Sequence, residues 1–384
     1  MASGSIKKEA NGTWMFVVDI KDETGKRKQK RRRGFKSRKE AQAELTKLLN
    51  DVNDGTYIEP VKTTLGEYML TWLDSKHDNM SRLTIDSYRS YIKNHVAPSI
   101  GHVALSKLSP LDIQKLVTDL RSKKDHKGRS LSASTIQRIF NIVVTSLNNA
   151  KKMQLIKENV AKLIDKPKIK KKKIEVWDVD EIRVFLDGMY DNRHYICFHL
   201  ALLTGMRQGE ILGLSWKNID YEKKLIHVTQ TLSHDRKEIN HGAKSHAGVR
   251  SISINEKDVA ELKRHAHRIE EEKEKAGEEL YEDRGLVVCT NIGRPVFADT
   301  IGKMFRKYYR KFNVTPIRFH DLRHTHASLL LKQGVHPKIV SERLGHSSVT
   351  ITLDTYSHLL PNMQEEAASG LGNLIFSDPQ KNEL

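Results

Sequence analysis

One run near the middle of the chain limits the folds open to it. Pro167-Lys168-Ile169-Lys170-Lys171-Lys172-Lys173 joins a proline to a block of like charge. Such a stretch repels itself, offers no buried face and stays extended. The 384 residues are therefore expected to divide around a basic linker at 164–174 into units that each close their own core.

On the N-terminal side the periodicity changes once more. Thr13 to Ile20 is rich in β-branched and aromatic residues and reads as a strand, with Asn11-Gly12 before it and Asp22-Glu23-Thr24-Gly25 after it as turn signals. The next strand is almost wholly basic, carrying Lys26, Arg27, Lys28, Lys30, Arg31, Arg32 and Arg33. Ser37 with Glu40 forms a capping-box signal, and Ala41, Leu45, Leu48, Leu49 and Val52 trace one helical stripe. Residues 1–60 thus read as a small sheet backed by one helix, with a cationic strand suited to a DNA groove.

Residues 64–163 read as all helix. Thr64 with Glu67 opens one helix, and a second covers about Arg82 to Val96, closed by Pro98 and Gly101. Ser109-Pro110-Leu111-Asp112 opens a third. A fourth begins near Ser132 and carries Ile136, Ile139, Phe140, Val143 and Leu147. The outer faces are basic, as a clamp on a duplex backbone would require.

Residues 175–384 are mixed and mainly helical. Trp177-Asp178 caps a helix through Leu186, and Tyr195 to Leu203 is an apolar helix interior that stops at Thr204-Gly205. Strand character runs through Lys224 to Ile254, interrupted by a glycine-bounded turn that presents Lys244. A charged helix from about Glu256 to Lys275 follows, then a short strand at Leu286-Val287-Val288 and a helix from Thr300 to Phe312.

Charge narrows the partner. Lys and Arg total 66 against 48 Asp and Glu, a formal charge of +18, which favours a polyanion. No apolar run reaches the length of a membrane span and no signal-peptide core is present, so a membrane partner is not expected. The isolated cysteines Cys197 and Cys289 suit a reducing cytoplasm. A nucleic acid in a bacterial cytoplasm, beside the nucleoid, is the expected setting.

The chemistry concentrates in His320-Asp321-Leu322-Arg323, Leu344-Gly345-His346 and Asp354-Thr355-Tyr356-Ser357-His358. Upstream, Arg207 and Glu210 occupy a glycine-flanked turn. Phosphodiester exchange without a metal needs a nucleophile, cations on the non-bridging oxygens, a base and an acid. Arginine binds phosphate in two-point fashion and keeps its charge, and a phenol beside guanidiniums ionises more readily. A phosphotyrosine ester conserves the energy of the broken bond, so no ATP and no cofactor is expected. His320 and His324 share helical i,i+4 spacing but lack the carboxylate of a zinc-protease helix, so no metal is expected.

The set Arg207 with Glu210, Lys244 in its turn, His320-x-x-Arg323, His346 in Leu-Gly-His, and Tyr356 resembles the tyrosine recombinase (integrase) family, in family order across the third unit. The two upstream units resemble the family's helical core-binding domain and the three-stranded arm-binding domain of phage and conjugative-transposon integrases. The resemblance implies a multidomain α+β protein whose catalytic domain is mainly helical with a small antiparallel sheet. It implies that Tyr356 attacks the scissile phosphate, giving a 3′-phosphotyrosyl link and a free 5′-hydroxyl. Arg207 and Arg323 would clamp the phosphate, His346 would add a hydrogen bond, Lys244 would protonate the departing oxygen, His320 would act as base, and Glu210 would orient its neighbours. The implied partners are duplex DNA at core and arm sites, three further copies in a tetramer, an excision factor and a host DNA-bending protein. Contacts to DNA are expected from Lys26, Lys28, Lys30, Arg31, Arg32 and Arg33, and from Lys170, Lys171 and Lys172 in the linker.

Two other readings use the same residues. One is a helical DNA-binding regulator with a silent site, and the other is a topoisomerase-like enzyme that relaxes supercoils. Beyond Tyr356, the apolar Leu371, Leu374, Ile375 and Phe376 are expected to fold back on their own domain or to dock on a neighbouring protomer.

Overall fold

The computed structural model describes residues 3–21, 27–54, 57–59, 61–124, 128–169, 174–233, 239–241, 248–356, 368, 369, 371 and 375. The chain divides into two compact units, Met1–Lys171 and Lys172–Leu384. Lys170, Lys171 and Lys172 lie outside the described residues, as do Lys26, Lys244, Leu374 and Phe376. No helix among the described residues is long and apolar enough to cross a membrane.

The first unit holds two separate cores. In the N-terminal one, β1 (Ser3–Lys8), β2 (Trp14–Lys21) and β3 (Arg27–Phe35) form an antiparallel sheet in that order. Helix α1 (Arg38–Asn53) lays Leu45 and Leu48 on the buried Phe16 and Val18. Only half of the expected capping box forms. Glu40 N–H donates to Ser37 Oγ, but the Glu40 carboxylate takes the N–H of Lys36 instead of Ser37. One extra residue bulges β3 between its pairings with Trp14 and Phe16, and Gly34 at φ +89° occupies it.

The register splits the cationic strand between two faces. Lys30 pairs with Val18 and Arg32 with Phe16, so both lie on the side that α1 covers. Lys30 Nζ sits 2.9 Å from Glu59 and 2.7 Å from the Tyr57 hydroxyl, and Arg32 is 3.6 Å from Glu44. Arg31 pairs with Val17 and lies on the opposite face, where it bonds Gln29. Arg33 is exposed beside Glu9, and Lys28 is placed by its backbone alone, opposite Ile20. The strand is therefore not one uniform cationic surface, because period two sends alternate residues to opposite sides.

The second core of this unit is helical: α2 (Leu65–Asp74), α3 (Arg82–Tyr91), α4 (Ala97–Ile100), α5 (Pro110–Ser122) and α6 (Ala133–Lys152). The capping boxes at Thr64/Glu67 and Ser109/Asp112 form as the spacing demands. Pro98 does not close the second helix. A π-helical turn at Ile92–Val96 carries the chain through the proline into α4, and Gly101 ends it. Proline removes the donor that would have reached the Asn94 carbonyl, and Lys123 Nζ fills that vacancy at 2.5 Å.

The second unit is mainly helical: α7 (Val179–Met189), α8 (Tyr195–Thr204), α9 (Gln208–Leu212), α10 (Glu256–Ala276), α11 (Ala298–Lys311), α12 (Asp321–Lys332), α13 (Pro337–Leu344) and α14 (Val349–Tyr356). Strands β4 (Ile219–Asp220), β5 (Leu225–Val228) and β8 (Arg250–Ser253) pair in the order β4-β5-β8, while β6 (Gln230–Leu232) pairs with β7 (Ile239–His241). Leu286–Val288 is not a strand. It makes one bridge to Ser215 and one bond from Val287 N–H to Leu214, too little pairing for a ladder.

Helix α8 is apolar all round because it runs through the core of this unit. Its Phe198 packs with Trp177, Phe185 and Phe305 in one aromatic cluster, ring centroids 4.9–5.8 Å apart, and the Trp177 indole N–H donates to the Thr315 carbonyl. Phe185 is fully buried and touches four aromatic neighbours. Phe185→Ala should lower unfolding free energy by about 3–5 kcal/mol, read as a lower urea midpoint.

Candidate active site

Two helices stop on a left-handed glycine, and each stop holds an arginine from elsewhere. Helix α8 ends at Gly205 (φ +66°) and α13 at Gly345 (φ +67°). Arg323 of α12 donates through Nη1 to the Gly205 carbonyl at 2.8 Å, and Arg207 donates through Nη2 to the Gly345 carbonyl at 3.1 Å. The backbone that ends one helix thus aims an arginine rooted in another. A Cβ on Gly205 would stand 2.7 Å from His326 Cδ2 and 2.7 Å from Leu344 Cδ2, so the position excludes any side chain on space as well as on φ.

Glu210 is the buried acid of this cluster. Its carboxylate accepts Arg207 N–H at 2.8 Å and Arg207 Nη1 at 2.8 Å. It also takes Arg250 through Nη1 at 3.1 Å and Nη2 at 2.8 Å, a two-point pair. Burial acts to raise the Glu210 carboxyl, yet the bonds from Arg250 and Arg207 hold it below the ordinary range. Arg250 Nε reaches the Arg343 carbonyl at 2.7 Å, and the Arg343 guanidinium bonds Ser253 and Leu203 carbonyls and His326 Nε2. Neither Arg250 nor Arg343 was singled out from the sequence. Arg250 meets Glu210 across 40 residues and Arg343 meets Ser253 and Leu203 across 90 and 140, and no spacing rule marks such pairs.

Tyr356 closes α14 and is buried against Ala327, Leu331, Val340 and Leu344. Its hydroxyl lies 2.5 Å from His324 Nδ1. His320, one turn earlier, is exposed and meets the His324 ring edge-on at 5.2 Å. His346 follows Gly345 directly, and its Nδ1 lies 2.8 Å from the buried Thr352 hydroxyl. The structure therefore brings Arg207, Glu210, Arg323, His346 and Tyr356 into one region, with His320 at its edge and His324 in contact with the phenol.

The electrostatics suit an anion. Arg323 is 3 % exposed, and its Nη2 has no hydrogen-bond partner among the described residues. Burial and then the neighbouring Arg207 push its pKa down to about 9. A guanidinium keeps its proton at neutral pH, so Arg323 is a buried cation that a negative charge would stabilise. Burial, then the adjacent histidine, pushes His324 down to about 4, and burial, then Arg323 and Arg207, does the same to His346. Both are neutral at pH 7. Burial pushes the Tyr356 phenol up, with Arg323 opposing.

Comparison with known proteins decides between readings. The phage integrase family model matches residues 174–363, an arm DNA-binding domain model matches 5–52, and a phage integrase N-terminal SAM-like domain model matches 64–121. A tyrosine recombinase XerC-like protein of Caldanaerobacter subterraneus is 31% identical over 95% of this chain and 97% of its own length. The chain belongs to the phage integrase family of tyrosine recombinases. The ICEBs1 integrase of Bacillus subtilis is 30% identical over 76% of this chain and 80% of its own. Among solved structures, the Tn1549 transposon integrase in complex with a circular intermediate DNA is 21% identical with a TM-score of 0.66, over 81% of this chain and 99% of that one. A lambda integrase dimer bound to a core site is 16% identical with a TM-score of 0.54, over 93% and 94%. These two carry the fold. The chain is a site-specific recombinase, an enzyme rather than a silent regulator.

The cross-brace at Gly205 gives a direct test. Gly205→Ala should lower the melting temperature and cut strand cleavage at least about tenfold, since a left-handed non-glycine costs about 1–2 kcal/mol before the clash moves Arg323. Gly334→Ala, also at positive φ (+78°) but with nothing within 4 Å of its Cβ, should lower the melting temperature and leave cleavage rate unchanged.

Proposed function

We propose that the chain integrates and excises a mobile element by cutting and rejoining duplex DNA through a covalent bond to Tyr356. The buried, unpartnered Arg323 Nη2 beside the Tyr356 phenol carries this reading. Arg323 and Arg207 clamp the non-bridging oxygens of the scissile phosphate. With Nδ1 accepting from Thr352, His346 turns an Nε2–H donor to the same group. Lys244 gives the proton to the departing 5′-oxygen, a histidine takes the phenol's proton, and Glu210 holds Arg207 in place from behind.

Residues 1–60 take the arm site, 64–163 the core site, the linker 164–174 follows the backbone between them, and 175–384 carry out the chemistry. Matches of the family models to 5–52, 64–121 and 174–363 support this division. Four copies assemble on DNA. A lambda integrase tetramer bound to a Holliday junction shares the fold (15% identity, TM-score 0.55) and supports that arrangement. Direction is set by an excision factor and a host DNA-bending protein.

Nicked duplexes spanning the junctions of the element that encodes the chain test the reading. Wild type should leave a denaturation-resistant protein–DNA complex. Tyr356→Phe should bind the same duplex with similar affinity and leave none. A wild-type protein with no such complex on any junction sinks the proposal.

The split faces of β3 give a second expectation. Arg31→Ala should weaken arm-DNA binding and lower the slope of log K against log salt by about one. Lys30→Ala, whose partners are Glu59 and Tyr57, should change that slope less and lower the melting temperature instead.

A further inference from the structure

We propose that His324, rather than His320, accepts the proton of Tyr356 as its phenol attacks the DNA phosphate. The inference rests on the tyrosine recombinase reading and assigns a group that family motifs leave aside. Its basis is contact. Tyr356 Oη and His324 Nδ1 are 2.5 Å apart, and their ring centroids are 5.6 Å apart. The phenol is the stronger donor of the two, so Nδ1 carries the lone pair and Nε2 the ring proton. A general base must stand within hydrogen-bond reach of the proton it takes, and this one already does.

His320 stands one turn earlier, at the edge of the site. Among the described residues no hydrogen bond joins it to Tyr356. It lies at the start of α12, exposed, on the wall of a groove of about 850 Å³ that Gln208, Arg306 and Arg318 also line. Its position suits a donor to the DNA backbone. The i,i+4 spacing explains the division of labour, because both histidines share one face of α12 while only the later one reaches α14.

The surroundings keep His324 able to accept. His320, Asp321 and Arg323 face it from its own helix, Arg318 from the segment before, His346 from beyond α13, and Tyr356 from α14. Burial and the net positive neighbourhood hold the imidazole neutral, its pKa pushed down to about 4. A phosphodiester bound against Arg323 adds a negative charge to that neighbourhood and raises the basicity of the ring.

The step balances as follows. Tyr356 Oη forms a bond to phosphorus as the bond from phosphorus to the 5′-oxygen breaks. The phenolic proton passes to His324 Nδ1, and the 5′-oxygen leaves as a hydroxyl with a proton from the acid of the site. In religation His324 returns its proton to Tyr356.

Single-turnover cleavage of nicked junction duplex by the full chain, between about pH 6 and about pH 9, reads this out. The wild-type rate should level off above neutrality. His324→Ala should be about 10²–10⁴-fold slower near pH 7, climb about tenfold per pH unit as tyrosinate forms, and recover with added imidazole. His324→Asn should show the same climb, with duplex affinity and melting temperature near wild type as the check on folding. His320→Ala should be slower while keeping the wild-type shape. If His324→Ala and His324→Asn run parallel to wild type and ignore imidazole, or if the climb and the rescue belong to His320→Ala, the proposal is overturned. A wild type that forms no covalent complex defeats the recombinase reading itself, a separate outcome.

Discussion

A buried guanidinium with an unused donor is the condition around which this domain is arranged. Arg323 is nearly inaccessible, and among the described residues no carboxylate binds it and one of its nitrogens has no partner. Holding such a group inside a folded protein costs free energy unless its charge is met. What holds it is the carbonyl of Gly205, available only because α8 stops on a left-handed turn. That stop requires glycine, and the close approach of His326 and Leu344 excludes anything larger. The apolar helix, its glycine end and the waiting cation form one device.

Carbonyls are the apt restraint here. A carboxylate on Arg323 would neutralise it and compete with phosphate, whereas a peptide dipole fixes its direction and leaves the charge unspent. Arg207 is treated differently. It shares Glu210 with Arg250, and it reaches Gly345 with its other nitrogen. One acid therefore serves two arginines, and the cluster keeps a positive excess. Arg343 extends the brace to the ends of α8 and β8, so the spacing of Arg207 and Arg323 is set by backbone rather than by flexible side chains.

The sequence was most readable where chemistry is local. Thr64 with Glu67 and Ser109 with Asp112 cap their helices because the partners sit three residues apart, and the apolar stripes of α1 and α6 follow from period alone. Arg207, Glu210, Arg323, His346 and Tyr356 were readable through motif resemblance, which carries long-range information that spacing does not. Where two remote segments had to meet, local reading failed. Pro98 looked like a stop, but a π turn and a lysine from α5's end carry the helix past it. Leu286–Val288 has strand composition without a strand beside it. Arg250, Arg343 and the reach of His324 are products of tertiary packing.

The burial of Tyr356 links recognition to chemistry. The phenol sits in an apolar cluster from α12, α13 and α14, where burial disfavours ionisation and Arg323 opposes it. In the free protein a tyrosinate would be stranded in low dielectric, and stray attack is suppressed. In the mechanism proposed above, a phosphate bound between Arg323 and Arg207 changes that balance. It satisfies the unpartnered nitrogen, draws the guanidiniums toward the reacting oxygen and raises the basicity of the neutral histidine beside it. On the mechanism proposed above, Tyr356 becomes competent only when its target is in place. An enzyme that cuts chromosomal DNA and must rejoin it gains from that order, since a nucleophile ready in advance would break strands it could not reseal.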